Sequence, residues 1–417
     1  MTEQASSVSR RGTNLPAMGD FNQSVILDAI RRAPKGLSRV QLVPATGLSA
    51  QTISNICRRL IDAGFILEAG KESIGPGKPR TMLVVNPEGR YALGVHLDPT
   101  VMTFVMLDLT GAVVMRVRKP TPTETDPAKI INKIVREVSK LIASSGVDKN
   151  RIAGVGIAAP GPIDSVLGTV VDPPHLTGWH RVPLRDAMAD STGLPAILDK
   201  DVTAAAIAEM WAGGSNGTGS FCFFYLGTGI GVGLVVDDLV VRGSSGNAGE
   251  IGHIVTDPNG PPCFCGLRGC IEVTCMPQAL VQEAEELGVL DDSRVGNDTT
   301  SVDARFTQLC DAANNGNAIA IEIIERSAVR LSRAVAVVAN VLDVERVVFG
   351  GPFWARLSGY YLRKIPELLE ELRAARRIHH ITLSGSAVGD DVAAVGAACL
   401  VLDRALAPNP KALLIAH

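Results

Sequence analysis

The 417-residue sequence has few aromatic side chains and no long apolar run. Aromatic residues make up 4% of the chain, so most of the core volume must come from Ala, Val, Leu and Ile. No run approaches the roughly 18 apolar residues that a bilayer-spanning helix needs. The first residues also lack the apolar core of a signal peptide. These absences predict a cytoplasmic globular protein with no membrane partner.

The net charge is small but unevenly distributed along the chain. There are 40 Lys and Arg against 43 Asp and Glu, a formal net charge of −3. Residues 1–90 contain 12 basic and 7 acidic side chains, whereas the remainder contains 28 basic and 36 acidic ones. A basic N-terminal segment on an acidic body indicates nucleic-acid binding at that end of the chain.

The N-terminal segment has the pattern of a helix-turn-helix. Residues 1–20 lack periodicity and are predicted to be a disordered tail, and a helix is predicted from Phe21. A short helix, a turn at residues 46–48 and an N-cap at Ser49 then lead into a second helix that ends near Ala63. We expect that second helix to enter the major groove of DNA.

A hairpin follows the second helix and resembles a wing. Its strands are residues 65–71 and 81–85, and its tip, residues 75–80, is rich in Gly, Pro, Lys and Arg, which suits contact with phosphates. The predicted DNA contacts on the second helix and the wing are Gln51, Thr52, Asn55, Arg58, Lys78 and Arg80. The alternative is a small helical packing domain whose polar side chains only face solvent.

The most informative local pattern is a cluster of possible metal ligands, namely His253, Cys263, Cys265 and Cys270. Three thiols and one imidazole form a closed tetrahedral set of the kind that holds structural Zn²⁺. Buried free thiols are the alternative, but three Cys so close to one His favour a metal. Glu250 and Glu272 flank the cluster, so a metal there would fix the loops that present these carboxylates to a ligand.

Strands and helices alternate beyond the wing. Residues 91–106 and 107–116 are predicted to form one hairpin, and residues 221–226 and 230–236 another. Two similar strand-helix halves, about residues 89–200 and 220–400, predict a two-lobed α/β body with a cleft between the lobes.

Residues 21–417 resemble the ROK family of repressors and sugar kinases, and more closely its transcriptional repressors. The resemblance is carried by the pattern Glu-x-Gly-His followed by Cys-x-Cys-Gly-x-x-Gly-Cys-x-Glu, formed here by Glu250, His253, Cys263, Cys265, Gly266, Gly269, Cys270 and Glu272. It implies an α/β fold with an actin/hexokinase-like body, structural Zn²⁺, a sugar in the interlobe cleft, and a homodimer or homotetramer. It also implies that His253 binds zinc through one ring nitrogen and faces the sugar with the other.

The resemblance also implies the domain boundaries. The winged helix-turn-helix would span residues 21–88 and the ROK body residues 89–417. Within the body, lobe one would comprise about residues 89–200 together with a C-terminal helix at about 390–417. Lobe two would then comprise about residues 201–389.

Part of the kinase machinery of this family is altered in the chain. The first phosphate loop of the family reads Asp-x-Gly-Gly-Thr, whereas His96, Asp98 and Pro99 replace its acidic residue and two glycines. Proline offers no amide to a phosphate, and an aspartate repels it. The second Gly-rich loop, residues 226–233, is intact. The resemblance therefore implies a non-enzyme in which Asp201, at the position of the catalytic base, is vestigial.

The predicted ligand-binding residues are Gly161, Lys200, Asp201, Glu250, His253 and Glu272. Lys200 stands where the family has a sugar-binding Asn, and a cation there would favour an anionic ligand such as a sugar phosphate. Alternatively, Lys200 pairs with Asp199 or Asp201, or faces solvent.

These observations predict a transcriptional repressor that binds operator DNA and senses a sugar or sugar phosphate in a zinc-supported cleft. The first alternative is an active ATP-dependent sugar kinase with an accessory DNA-binding module. The second is a repressor that is controlled by a protein partner.

Overall fold

The computed structural model describes residues 15–72, 79–122, 125–174, 176–213, 218–291 and 299–406. Its helices are α1 (Leu15–Arg31), α2 (Arg39–Thr46), α3 (Ala50–Asp62), α4 (Pro127–Ser145), α5 (Leu184–Thr192), α6 (Asp201–Ala212), α7 (Glu272–Cys275), α8 (Pro277–Glu286), α9 (Thr299–Asn314), α10 (Ala318–Leu342), α11 (Trp354–Leu372) and α12 (Val392–Leu406). Its strands are β1 (Leu37–Ser38), β2 (Ile66–Glu72), β3 (Arg80–Val85), β4 (Tyr91–Leu97), β5 (Val101–Asp108), β6 (Val113–Pro120), β7 (Ile152–Ala159), β8 (Ile163–Asp164), β9 (Thr169–Val170), β10 (Ala196–Lys200), β11 (Phe221–Leu226), β12 (Ile230–Val236), β13 (Leu239–Val240), β14 (Arg346–Gly350) and β15 (Thr382–Gly385).

Helices α1 to α3 and the sheet β1-β3-β2 form the predicted winged helix-turn-helix. Gly47 ends α2 in the left-handed conformation, with φ of 70°, which glycine adopts without a steric cost. The Ser49 side chain then caps α3 by accepting a hydrogen bond from the Thr52 amide at 3.2 Å. The apolar face of α3 packs into the core of this module through Ile53, Ile56, Cys57 and Leu60.

Helix α1 begins earlier than the sequence pattern indicated. It starts at Leu15 instead of Phe21, so residues 15–20, which were predicted to be part of a disordered tail, are helical. Residues 1–14 lie outside the described part of the chain.

The first of two five-stranded sheets has the strand order β10-β7-β4-β5-β6. Strands β4, β5 and β6 form an antiparallel meander, which β7 and β10 extend in parallel. The hairpin predicted from residues 91–106 and 107–116 is present as β5 and β6, but its first strand is wrong, because a turn at residues 98–100 divides it into β4 and β5. Helices α4 and α5 cover one face of this sheet, and α12 covers the other.

The second five-stranded sheet has the strand order β13-β12-β11-β14-β15. The hairpin predicted at residues 221–226 and 230–236 is confirmed as β11 and β12. Helix α6 covers one face of the sheet, and helices α7 to α11 enclose a separate core on the other side.

Helices α6 and α12 lie against each other between the two sheets, at very short range. An added Cβ at Gly156 in β7 would lie 1.6 Å from the carbonyl oxygen of Ala397 in α12. An added Cβ at Gly396 in α12 would lie 1.8 Å from the carbonyl oxygen of Ala204 in α6. Only glycine permits these approaches, so the central layer depends on the absence of two side chains.

The winged helix contacts the far end of this central layer. The Arg31 guanidinium of α1 lies 4.1 Å from the ring centroid of Trp211, near the C-terminus of α6. Trp211 also hydrogen-bonds Asp403 in α12, which links both central helices to α1. In addition, Arg32 lies 3.8 Å from Asp238 of the second sheet. None of the helices in the described part of the chain combines the length and apolar character that crossing a bilayer requires.

Candidate functional site

The four predicted zinc ligands come together in space. Their ligand atoms all lie within 4.8 Å of one another, although they come from different turns of one loop region. Cys263 Sγ lies 3.6 Å from His253 Nδ1, and Cys265 Sγ lies 3.6 Å from Cys270 Sγ. Tetrahedral zinc with Zn–S bonds of about 2.3 Å needs sulfurs roughly 3.8 Å apart, so the set fits this ion. When bound, the ion would lock the loop in place.

In the absence of a cation, the thiol of Cys270 retains its proton. Burial, with hydrogen bonds among the neighbouring thiols, raises the pKa of Cys270 to about 12. A bound divalent ion reverses that preference, because a coordinated thiol loses its proton. His253 and Cys265 are exposed, whereas Cys263 and Cys270 are buried, so the ion would sit at the boundary between solvent and protein.

Tight backbone packing and an ion pair hold the loop of the metal-ligand cluster in place. An added Cβ at Gly269 would lie 1.5 Å from the carbonyl oxygen of Asp257, so only glycine fits there. The Asp257 carboxylate in turn accepts hydrogen bonds from Arg330 of α10 at 2.9 and 3.1 Å. The loop is thus attached to the helical core of the second sheet.

Lys200 and Glu250 form an ion pair at the centre of the predicted ligand site. The Lys200 side chain is only 2% exposed, and its ammonium donates a short hydrogen bond to Glu250 Oε1. The same ammonium lies 3.3 Å from the carbonyl oxygen of Ala248. Glu250 was not among the partners considered for Lys200 from the sequence. Asp199 instead accepts a 2.8 Å hydrogen bond from Arg242.

Gly161 lies directly against this ion pair, as the choice of glycine suggests. An added Cβ there would lie 2.9 Å from Lys200 Cε and 3.1 Å from Glu250 Oε1. Asn247 holds the adjoining strand in place, because its side chain exchanges two 2.8 Å hydrogen bonds with the backbone of Ile163. The structure therefore brings Gly161, Lys200 and Glu250 together.

Two further carboxyl groups of the site have raised pKa values. Burial raises the pKa of Asp201 to about 7, against the opposing effects of the Val202 amide and the Lys200 ammonium. Burial, helped by the nearby Glu250, raises the pKa of Glu272 to about 7. Glu272 also packs near Gly252, where an added Cβ would lie 3.1 Å from its Oε2. Both groups can therefore donate or accept a hydrogen bond near neutral pH.

The turn after β4 contains an internal anion. Asp98 Oδ1 accepts hydrogen bonds from the amides of Thr100 at 2.8 Å and Val101 at 3.3 Å. Asp98 Oδ2 accepts a 3.2 Å hydrogen bond from the Thr228 hydroxyl, which belongs to the Gly-rich loop between β11 and β12. The Asp98 carboxylate thus accepts hydrogen bonds from the turn after β4 and from the Gly-rich loop between β11 and β12. It thereby connects the two sheets.

Two buried polar atoms lie beside Asp98. His96 Nε2 and Tyr225 Oη have no hydrogen-bond partner among the described residues. Their rings meet edge to face, with centroids 6.2 Å apart. Burial lowers the pKa of His96, although Asp98 and Asp391 oppose this shift, so its imidazole is neutral at pH 7.

The predicted DNA contacts lie on one module. Gln51, Asn55 and Arg58 are exposed on α3, and Gln51 donates a 3.2 Å hydrogen bond to Asn55. Thr52 is half-buried beside the cap of that helix, and Arg80 is half-buried at the start of β3. Lys78 lies outside the described residues.

Several residues of the site are not evident from local sequence patterns. Asn247 and Arg242 have no motif, and each acts on a partner that is distant in sequence. The sequence indicates Asp98 only as a substitution that repels phosphate, whereas in the structure it also accepts hydrogen bonds from Thr100, Val101 and Thr228. An aspartate in a short turn commonly accepts hydrogen bonds from the backbone amides that follow it, and this local pattern is the signal for the role of Asp98.

The fold and the site define a winged helix-turn-helix joined to a two-lobed, sugar-kinase-like body. The ROK family model matches residues 92–404, so the chain belongs to the ROK family. The resemblance stated from the sequence is therefore confirmed, as is the predicted fold class.

Similar proteins include both repressors and kinases. The xylose repressor of Caldicellulosiruptor bescii is 25% identical over 377 residues, which cover 89% of this chain and 93% of the relative. The glucokinase of Halalkalibacterium halodurans is 30% identical over 316 residues, which cover 75% of this chain and 95% of the relative. A solved structure of a ROK family transcriptional regulator, a homologue of the Escherichia coli MLC protein, has a TM-score of 0.76 at 25% identity and covers 94% of this chain and 98% of its own.

Proposed function

We propose that this chain is a DNA-binding transcriptional repressor that senses a sugar or sugar phosphate in the cleft beside Lys200 and Glu250. The observation that carries the proposal is the turn after β4, where Asp98 takes the hydrogen-bond donors that a transferred phosphate would need. The carboxylates that would hold sugar hydroxyls, Asp201, Glu250 and Glu272, are nevertheless retained around the same space.

The division of roles in the site follows from its chemistry. Carboxylates accept strong hydrogen bonds from hydroxyl groups, so Asp201, Glu250 and Glu272 would bind a polyol without reacting with it. Gly161 lets the backbone approach the ligand. Zn²⁺ held by His253, Cys263, Cys265 and Cys270 would fix the loop that carries Glu250 and Glu272.

The winged helix would bind operator DNA as part of a homodimer or homotetramer. Gln51, Thr52, Asn55 and Arg58 on α3 would contact bases or phosphates, with Lys78 and Arg80 in the wing. A sugar that changes the arrangement of the lobes would also change the relative position of two such modules. Ligand and operator affinities would then be reciprocally coupled.

The experiment is an operator-binding assay with and without sugar. The operator is first selected from genomic fragments with the purified protein, and binding is then titrated in xylose, glucose and their phosphates. We expect at least one sugar to change operator affinity by fivefold or more. Specific DNA binding that no sugar alters would favour control by a protein partner instead.

A sugar kinase with an accessory DNA-binding module is the second candidate, because Asp201 is retained and a glucokinase is among the relatives. Production of ADP, measured by coupled assay with hexoses, tests it. Turnover that Asp201→Asn abolishes would establish the kinase, whereas background rates in both proteins support the repressor.

A further inference from the structure

Four cations on or next to the two sheets around the cleft, all in the described part of the chain, are each paired with a carboxylate. Lys200 pairs with Glu250, and Arg242 pairs with Asp199. On the β4 side, Arg116 and Arg118 both pair with Asp391, at 2.9 and 2.6 Å. Each of these four cations is thus already held by a carboxylate.

Among the residues that the structure describes, no Lys or Arg side chain pairs with the carboxylate of Asp98. It is 8% exposed, and its contacts are the neutral donors of Thr100, Val101 and Thr228. The adjoining imidazole of His96 is neutral at pH 7, because burial lowers its pKa. The hydrogen bonds that hold the Asp98 carboxylate in the described structure therefore come from neutral groups.

Asp98, Asp201 and Glu250 face the same space. Asp98 contacts Thr228, and the strand that follows this loop pairs at Gly231 with Glu250. Asp98 and Glu250 both act electrostatically on Asp201. A ligand bound by Asp201 would therefore lie near two further carboxylates.

From this arrangement we infer that the cleft takes an unphosphorylated sugar, and that Asp98 is the residue that rejects the corresponding sugar phosphate. The inference rests on the proposed sugar-sensing function and selects one of its two ligand classes. A neutral sugar offers only hydroxyls, which carboxylates accept. A phosphate group with its charge of nearly −2 would be repelled by the Asp98 carboxylate. The amides and the hydroxyl that could donate hydrogen bonds to the phosphate already donate to Asp98.

Paired titrations by calorimetry test the inference, with glucose against glucose 6-phosphate and N-acetylglucosamine against its 6-phosphate. The parent protein is compared with Asp98→Asn, which keeps an oxygen acceptor for the turn amides but removes the charge. Asp108→Asn is the matched control, because Asp108 caps the turn at the other end of β5 through the amides of Thr110 and Ala112.

We expect the parent and Asp108→Asn to bind an unphosphorylated sugar at least tenfold more tightly than its phosphate. Asp98→Asn should reduce the ratio of the two affinities at least fivefold, chiefly by improving the binding of the sugar phosphate. Higher salt should also reduce this ratio in the parent, because screening weakens the repulsion between the phosphate and the carboxylate.

The other outcomes distinguish rejection of sugar phosphates by Asp98 from sugar sensing itself. A phosphate that binds as tightly as its sugar to the parent, or a gap that Asp98→Asn leaves unchanged, overturns the inference and leaves sugar sensing intact. If neither class binds any of the three proteins, the proposed sugar-sensing function fails, and the inference fails with it.

Discussion

Replacement of Asp201 by asparagine should stabilise the ligand-free protein at pH 8 more than at pH 5. Burial raises the pKa of this carboxyl from 3.8 to about 7. Between these two values the folded protein holds a proton that the unfolded chain releases, so the free energy of unfolding falls as pH rises. Above about pH 7 the destabilisation is complete, and an amide at this position does not suffer it.

The magnitude follows from the size of the shift. About three pKa units correspond to roughly 4 kcal/mol over the full range, of which about two thirds develop between pH 5 and pH 8. The Asp201 side chain is partly exposed, and solvent screening reduces this figure to roughly 1–2 kcal/mol. For a body of this size, that corresponds to a change of about 2–4 °C in melting temperature.

Differential scanning calorimetry of the parent and Asp201→Asn at pH 5, 6, 7 and 8 measures the effect. The relevant quantity is the difference between the two melting temperatures at each pH, because it removes effects that both proteins share. Asp190→Asn is the control, since Asp190 is exposed on α5. A melting-temperature difference that stays constant from pH 5 to pH 8 would refute the reasoning.

Three further perturbations address the metal, the contact between modules and the central layer. Cys265→Ser should remove about one equivalent of zinc and weaken both sugar response and operator binding, as measured by elemental analysis and gel shift. Arg31→Ala should leave sugar affinity within twofold but reduce the effect of sugar on operator affinity severalfold, because it loses the contact with Trp211. Gly156→Ala should destabilise the fold by several kcal/mol in chemical denaturation, whereas Gly359→Ala in α11, with open space around it, should stabilise it by about 0.5–1 kcal/mol.

Matched variants separate specific effects from general damage. Phe264→Ala alters the exposed ring beside the metal cluster and should retain zinc. If Cys265→Ser loses zinc while both responses persist, the cluster only stabilises the loop. Arg32→Ala loses a 3.8 Å ion pair with Asp238 and a 2.8 Å hydrogen bond to Asp28 of its own helix, but not the contact with Trp211, and should couple sugar to operator almost normally. If Arg31→Ala and Arg32→Ala reduce the effect of sugar on operator affinity equally, the contact between Arg31 and Trp211 has no special role in the coupling.

Much of the fold could be predicted because the relevant signals are local. The N-cap at Ser49 and the turn at residues 46–48 define the helix-turn-helix within a few residues, and both appear in the structure as predicted. The ligand set around Cys263 to Cys270 is likewise compact in sequence. The turn at residues 98–100 was missed because the flanking strands are both apolar and the break between them is very short.

The site was predicted less completely because its contacts join distant segments. Lys200 and Glu250 are 50 residues apart, and no periodicity relates them. The hydrogen bond between Asp98 and Thr228 spans 130 residues and depends on how the two sheets pack. Sequence patterns therefore gave candidate site residues, but not which of them pair with one another.

Because Asp98 is the acceptor for its own turn, removal of its carboxylate would carry a cost in stability. A change of Asp98 to glycine would leave the amides of Thr100 and Val101 and the Thr228 hydroxyl without their acceptor, at a cost of about 1–3 kcal/mol for each group that stays shielded from water. Pro99 would still withhold an amide from the loop. Two separate substitutions, at Asp98 and at Pro99, would thus be needed before this turn could offer all its amides to a bound anion, and the first of them alone would lower the stability of the protein.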